Sequence, residues 1–181
     1  VSLGFTDGFY VKPRIDDELL EKHHEGLICL SACLAGEIPR KLSNSDYKGA
    51  FNKALYYKKL FGEGNFYIEL QNHGIKAQLD IIPDLIKLSH EADIPMVFTN
   101  DCHYVKKEDA RTHSILLCIQ TNHTINDEDK MEFETEEFYL KSEEEMRALL
   151  KEYPEAFDNT AKIAEECNLD FEFGKRKLPF F

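Results

Sequence analysis

The chain has 181 residues, of which 43% are hydrophobic, and this size predicts a single domain with a sizeable core. Its 34 acidic residues outnumber its 22 basic ones, and a net charge of −12 argues against broad DNA binding, which depends on Lys and Arg neutralising phosphates. No window approaches the roughly 18 apolar residues that a membrane span needs, so we expect no contact with a membrane.

Apolar segments and helical patterns alternate along the chain. Predicted strands cover residues 26–31, 65–70, 95–99 and, briefly, 138–140, and predicted helices cover 16–24, 47–61, 76–92, 108–120, 142–150 and 154–167. Loops are expected over 1–14, 36–44 and 122–137. Helical spacing places Leu55 and Leu79 toward the core. Three consecutive strand–helix units predict parallel strands, and therefore an α/β fold.

Polar side chains follow each of the first three predicted strands. Cys33 follows the first strand, His73 the second, and Asp101 and His103 the third. Because the carboxyl ends of parallel strands converge, we expect these side chains at one face. Residues two apart in extended backbone project to the same side, which suits joint coordination of a metal by Asp101 and His103. Thiol, imidazole and carboxylate groups are ligands of divalent metals.

Each of these residues also has a simpler interpretation. Asp101 would cap the turn that follows it in an ordinary solvated loop. A free cysteine such as Cys33 is commonly a small buried hydrophobe, and His73 would be a loop residue that hydrogen-bonds to backbone. The pattern alone leaves these alternatives open.

Several segments resemble, in order and at similar spacing, signatures of bacterial replicative DNA polymerase III alpha subunits. They lie at residues 8–14, 25–37, 67–74, 99–104, 117–121 and 137–142. The matching region of that family is the second half of its amino-terminal polymerase and histidinol phosphatase (PHP) domain. The resemblance implies a partial, distorted β/α barrel of the PHP type, followed by a mostly helical carboxyl-terminal segment.

The resemblance also implies a metal site at the strand ends. Asp101 and His103 match the last two ligands of the PHP pattern, Cys33 matches a position where these polymerases place a cysteine, and His73 lies near the site as a further candidate. The expected cofactor is divalent zinc, manganese or magnesium. The opening His-x-His motif and three further ligands would precede Val1, so we expect an incomplete cluster and assign no catalytic residue.

The same resemblance suggests how the chain is organised. Residues 1–124 would form the carboxyl-terminal half of the PHP barrel, and 125–181 an acidic loop, a short strand and helices leading toward the polymerase palm. The apolar end at 177–181 suggests a cut boundary, with the palm beyond it. We therefore expect no DNA synthesis from this part alone, and strand edges left open for pairing with another chain.

Two function classes follow for the parent domain. In one, it is a metal-dependent phosphoesterase that trims primer 3′ ends; in the other, it is a degenerate scaffold that docks the proofreading exonuclease. An unrelated metal-dependent hydrolase with a β/α barrel is a third interpretation. Expected partners are the remainder of the polymerase chain, the proofreading exonuclease, the sliding clamp and primer-template DNA.

Charge and cysteine content add three expectations. Lys12 and Arg14 flank Pro13 and suit contact with phosphate, although an ordinary surface loop explains them equally. The acidic runs between 127 and 145 indicate a solvated face or, alternatively, a docking surface for a basic partner. Five cysteines without a C-x-x-C pair indicate reduced thiols in a cytoplasmic protein.

Overall fold

The computed structural model describes residues 1–170 and 172–175. The strands are β1 (Cys29–Leu30), β2 (Phe66–Leu70) and β3 (Met96–Phe98), and the helices are α1 (Ser2–Thr6), α2 (Asp17–His23), α3 (Glu37–Ser43), α4 (Tyr47–Phe61), α5 (Lys76–Ala92), α6 (Ala110–Thr121), α7 (Glu143–Leu149) and α8 (Glu155–Glu166). The predicted apolar end at 177–181 lies outside the described residues. None of the described helices has the length and apolar character to cross a membrane.

The three strands form one parallel sheet in the order β1-β2-β3. Cys29 pairs with Phe66, and Ile68 pairs with Met96. Helices α3 and α4 connect β1 to β2, and α5 connects β2 to β3. This arrangement confirms the predicted α/β fold with parallel strand–helix units and agrees with part of a PHP-type barrel.

The helix boundaries follow local capping rules. The Asp16 side chain accepts a hydrogen bond from the Leu19 amide at the start of α2, which satisfies an amide that has no partner within the helix. Gly62 ends α4 with a φ of 82°, a conformation that favours glycine. Ser142 and Glu145 form the predicted capping box of α7.

The main core lies between the sheet and its helices. Phe66, Ile68 and Leu70 alternate along β2 and are at most 2% exposed, as expected for one face of a buried strand. Helices that precede β2 and helices that follow it both contribute residues to this core, and Phe157 of α8 is one of them. The Phe157 ring meets the Phe98 ring edge-on, with centroids 5.0 Å apart. The carboxyl-terminal helices therefore pack directly on the sheet, while a domain boundary near residue 124 stays a prediction.

Two predicted loops are wrong, because short helices lie within them. Residues 2–6 form α1, and residues 37–43 form α3. In α3, Ile38 and Leu42 stand four residues apart and are both buried, and Pro39 lies in the first turn, where its missing amide costs nothing. A single apolar pair within seven residues is too short a pattern to distinguish a helix from a loop.

The predicted inward faces of α4 and α5 are also partly wrong. Leu55 and Leu79 are 40% and 45% exposed. The buried positions of α5 instead include Gln78, Ile81 and Leu88, which form a continuous helical face. A polar residue therefore begins the buried face.

Candidate functional site

Asp101 and His103 meet just past the carboxyl end of β3. His103 Nε2 lies 3.2 Å from Asp101 Oδ1, and the two side chains are 36% and 46% exposed, respectively. Two such ligands on one tetrahedral zinc ion would stand about 3.3 Å apart. The separation also suits a direct hydrogen bond. The pair therefore offers an imidazole and a carboxylate that are adjacent, open to solvent and spaced for joint contact with one cation.

Aromatic rings hold the His103 imidazole in place. Phe133 and Phe138 approach it edge-on, with centroids 4.7 Å and 5.6 Å away. The His103 amide donates to the Phe138 carbonyl at 2.8 Å, and Asn100 donates from its side chain to the Tyr139 carbonyl at 2.8 Å. The predicted strand at 138–140 forms only an isolated parallel bridge from Tyr139, and that bridge braces the Asp101 loop.

His73 lies beneath this loop and is 1% exposed. Its Nε2 accepts a hydrogen bond from the Asp101 amide at 3.1 Å, and its Nδ1 lies 3.3 Å from Gln78 Oε1. Burial lowers the pKa of His73 below its ordinary value, so the neutral ring is favoured. The structure brings His73 to the site with both ring nitrogens already engaged.

Among the described residues, Cys33 does not join Asp101 and His103 in a group arranged to hold a metal. It is exposed and lines a narrow crevice with Glu69, Gln71 and residues of α5. Gln71 Oε1 is buried there without a hydrogen-bond partner in the described part of the chain. Across residues 1–170 and 172–175, no group of three or more His, Cys, Asp or Glu side chains is arranged to hold a metal. The four-residue ligand set stays a prediction, and its geometry here is a pair beside a buried histidine.

Glu69 joins the ends of all three strands, although no predicted site in the sequence included it. Its carboxylate accepts hydrogen bonds from the Ala32 amide after β1, at 3.0 Å, and from the Thr99 hydroxyl after β3, at 2.5 Å. Ala32 has a φ of 66°, which is uncommon outside glycine. The sequence feature that could have indicated this role is a single charged residue within the otherwise apolar strand β2. Glu69 therefore fixes the loops that carry Cys33 and Asp101 relative to each other.

His113 of α6 is a second neighbour that the sequence did not reveal. Its ring centroid lies 5.4 Å from that of His103 and 4.9 Å from that of Phe133. Burial, and then the nearby His103, lower the pKa of His113. Nothing in the helical pattern of residues 108–120 distinguishes this histidine, because the contact depends on how α6 packs.

Lys12 and Arg14 lie on an exposed turn near the amino terminus. The Arg14 Nε donates to the Tyr10 carbonyl at 3.1 Å, and its guanidinium lies 5.7 Å from the centroid of the Tyr10 ring. The Lys12 carbonyl accepts from the Tyr10 amide at 3.1 Å. Arg14 is thus folded back on its own loop, and contact of either side chain with phosphate stays a prediction.

Comparisons of the sequence with known proteins indicate a family. Residues 1–73 match the PHP domain family, a stretch that contains Cys33 and ends at His73. The chain is 47% identical over 171 residues to DNA polymerase III subunit alpha of Borreliella burgdorferi. The aligned residues make up 94% of this chain and 15% of that protein.

Two further relatives carry the same name. The subunit of Treponema pallidum is 46% identical over 180 residues, covering 99% of this chain and 15% of the relative, and that of Deinococcus radiodurans is 46% identical over 179 residues, covering 97% and 13%. The chain thus spans about 15% of the length of the curated relatives it matches. From this similarity along nearly all of its length, together with the PHP match, the chain belongs to the bacterial DNA polymerase III alpha subunit family.

Proposed function

We propose that this chain serves as part of a DNA polymerase III alpha subunit in the cytoplasm, where the whole protein carries out DNA-directed DNA synthesis in chromosome replication. The supporting observation is 46–47% identity, over nearly the whole chain, to three proteins of that name. The same similarity favours this family over an unrelated β/α-barrel hydrolase. The remainder of the polymerase chain, the proofreading exonuclease, the sliding clamp and primer-template DNA are the proposed partners.

Within that protein, the proposed role of the Asp101–His103 pair is to hold a divalent metal, namely zinc, manganese or magnesium. The observation that carries this role is their 3.2 Å separation at the carboxyl end of a parallel strand, where α/β folds place their sites. A metal bound there would activate water and stabilise charge on a phosphate. The chain's own contribution is to hold a carboxylate and an imidazole side by side, with His103 fixed by Phe133 and Phe138.

Metal content of the full-length subunit tests this role. Asp101→Asn and His103→Gln should each lower the divalent metal retained after gel filtration. A matched control exists in the His123–Asp129 pair, whose Nε2 and Oδ1 atoms lie 3.8 Å apart on the surface. Asp129→Asn and His123→Gln should retain the metal. Equal metal content in all four variants and the parent would refute the role of Asp101 and His103.

A degenerate scaffold is the second candidate function, since the described residues contain no group of three metal-binding side chains. On this alternative, the domain braces the polymerase and docks the proofreading exonuclease without chemistry of its own. Hydrolysis of a 3′-terminal nucleotide by the full-length subunit distinguishes the two. Hydrolysis that Asp101→Asn abolishes supports a phosphoesterase, whereas metal binding without hydrolysis supports the scaffold.

A further inference from the structure

His73 contacts the backbone, and not the side chain, of the proposed metal-binding aspartate. Its Nε2 lies 3.1 Å from the Asp101 amide nitrogen. An amide N–H can only donate, so Nε2 must accept with its lone pair. That lone pair is the one a metal would need, and it is directed at the Asp101 backbone.

Nδ1, the other ring nitrogen of His73, contacts the Gln78 side chain. Gln78 Oε1 accepts the His73 amide at 2.9 Å, which orients the Gln78 side chain. The same oxygen lies 3.3 Å from Nδ1 of His73, and the Gln78 amide nitrogen lies 3.2 Å from it. With Nε2 of His73 acting as acceptor, the neutral ring carries its proton on Nδ1. Of the two Gln78 atoms near Nδ1, only Oε1 can accept that proton, because the side-chain amide nitrogen is itself a donor. Gln78 is 7% exposed, so water does not compete freely for this contact.

The ring is also held against rotation. Phe138 stacks on it, with centroids 4.6 Å apart and planes 4° from parallel. The Thr135 hydroxyl donates to the His73 carbonyl at 2.6 Å. His73 is therefore bound through its backbone, its ring face and both ring nitrogens, and it could coordinate a metal only by giving up the Asp101 contact.

We infer that His73 is a positioning residue that fixes the Asp101 backbone, so that the Asp101 carboxylate faces His103, and that it is not itself a metal ligand. This inference rests on the proposed function, in which Asp101 and His103 bind a divalent metal. Residues that orient metal ligands typically change metal affinity by about 10- to 100-fold when replaced. The atom that matters is the Nε2 acceptor, which a glutamine side-chain oxygen can replace at similar reach.

Two substitutions separate the acceptor from the ring. His73→Phe keeps a flat ring for stacking on Phe138 and removes the acceptor, while His73→Gln removes the ring and keeps an acceptor. His23→Phe is the matched control, because His23 is exposed on α2. Asp101→Asn and His103→Gln define the signal that belongs to the proposed site.

The experiment is a Co²⁺ titration of the full-length subunit, stripped of metal, followed by visible absorption. We expect His73→Phe to weaken Co²⁺ binding at the site by about tenfold or more, and His73→Gln to stay within about threefold of the parent with an unchanged spectrum. Parent-like binding by His73→Phe would overturn the inference. So would an altered spectrum in His73→Gln, since that would indicate a lost ligand.

Failure of the proposed function gives a different result. If Asp101→Asn and His103→Gln bind Co²⁺ as the parent does, the metal site itself is wrong and the positioning role falls with it. If His73→Phe does not fold, as judged by circular dichroism against His23→Phe, His73→Gln decides alone. An unchanged spectrum in that variant supports a positioning role, and a changed one refutes it.

Discussion

Glu69 shows how one half-buried charge can organise a site that it does not form. Its carboxylate bonds to the Ala32 amide and the Thr99 hydroxyl, on the loops after β1 and β3. Hydrogen bonds to a charged acceptor stabilise more than neutral ones, and loss of the carboxylate would leave the half-buried Thr99 hydroxyl without this acceptor. The Cys33 and Asp101 loops therefore depend on a residue that lies on the strand between them.

Replacing Glu69 should be costly, and the cost should depend on the acceptor oxygen. We expect Glu69→Ala to lower the free energy of unfolding by about 3 kcal/mol, and Glu69→Gln, which keeps one acceptor, to lower it by about half as much. Urea unfolding of the chain measures both. Glu63→Ala, at an exposed position, is the control. A loss no larger for Glu69→Ala than for Glu63→Ala would contradict the role given to this carboxylate.

Cys29 should be the slowest of the strand and loop thiols to react with an alkylating reagent. Burial, and then the nearby Glu69 carboxylate, raise the pKa of its thiol from 9.0 to about 11. Only the thiolate reacts, so at pH 8 the reactive fraction is about a hundredfold smaller than for an unshifted thiol. Peptide mass spectrometry after iodoacetamide treatment should show Cys33, which is exposed, modified well before Cys29.

The sign of this shift also sets a pH dependence of stability. The thiol ionises at lower pH in the unfolded chain than in the folded one, so the free energy of unfolding should fall as the pH rises from 9.0 toward about 11. Cys29→Ser should flatten that slope. Equal alkylation rates for Cys29 and Cys33 at pH 8 would show that the thiol is not shielded.

At the residue scale, the sequence predicted the Asp101–His103 pair but not its supports. Two residues spaced for one side of an extended segment form a local pattern, and the structure places them 3.2 Å apart. Glu69, Gln78 and His113 act through contacts between elements, which no local spacing encodes. A charge within an apolar strand is a signal only in hindsight, because surface strands carry such charges routinely.

At the element scale, capping determines where α7 begins. The Ser142 hydroxyl accepts from the Glu145 amide at 3.2 Å, and the Glu145 carboxylate accepts from the Ser142 amide at 2.8 Å. Each contact satisfies an amide that the helix itself leaves unpaired. The reciprocal pair was visible in the sequence, because both partners lie within four residues.

Ser142→Ala should therefore cost about 1 kcal/mol of unfolding free energy, while Ser142→Asp, which retains a capping oxygen, should cost little. Chemical denaturation of the chain measures the difference. Ser45, which precedes the Asp46 cap of α4 without capping it, offers a serine control through Ser45→Ala. If Ser142→Asp is as destabilising as Ser142→Ala, the cap is not the cause.

The helices whose bounds were predicted correctly are long ones, and residues that end helices helped to set those bounds. Helices α4 and α5 match their predicted bounds at both ends, since each has at least 15 residues and α4 ends at a glycine, Gly62. The error in α5 concerns its face: Gln78 occupies a buried position because its side chain bonds to His73. Because Gln78 is polar, the sequence pattern did not show that it lies on the buried face of α5.

For the whole molecule, α8 has a role that its position late in the chain conceals. The Ile68 amide bonds to the Pro95 carbonyl, and the Thr99 amide bonds to the Leu70 carbonyl. Alternation along a strand then directs the carbonyls of Met96 and Phe98 away from β2. Side chains of α8 meet them there: Asn159 donates to Met96 at 2.7 Å, and Thr160 donates to Phe98 at 3.3 Å.

Asn159→Ala should lower the free energy of unfolding by about 1 to 2 kcal/mol, because it leaves the Met96 carbonyl partly buried without this donor. Asn168→Ala is the control, since Asn168 is exposed and its side chain bonds, among the described residues, to carbonyls near its own position. Urea unfolding compares the two variants, and sedimentation velocity reports whether Asn159→Ala self-associates. Equal stability in both variants would show that the Asn159 contact is incidental.

The placement of α8 also determines at which edge the sheet can pair with a further strand. The Asn159 amide and the Thr160 hydroxyl bond to carbonyls of β3 that a neighbouring strand would otherwise use, so they block strand pairing on that side. Within residues 1–170 and 172–175, β1 packs mainly against β2, and no helix packs on it as extensively as α8 packs on β3. A larger barrel built on this sheet would therefore gain its next strand beside Cys29–Leu30, and an unwanted strand from another molecule would find its opening at the same place.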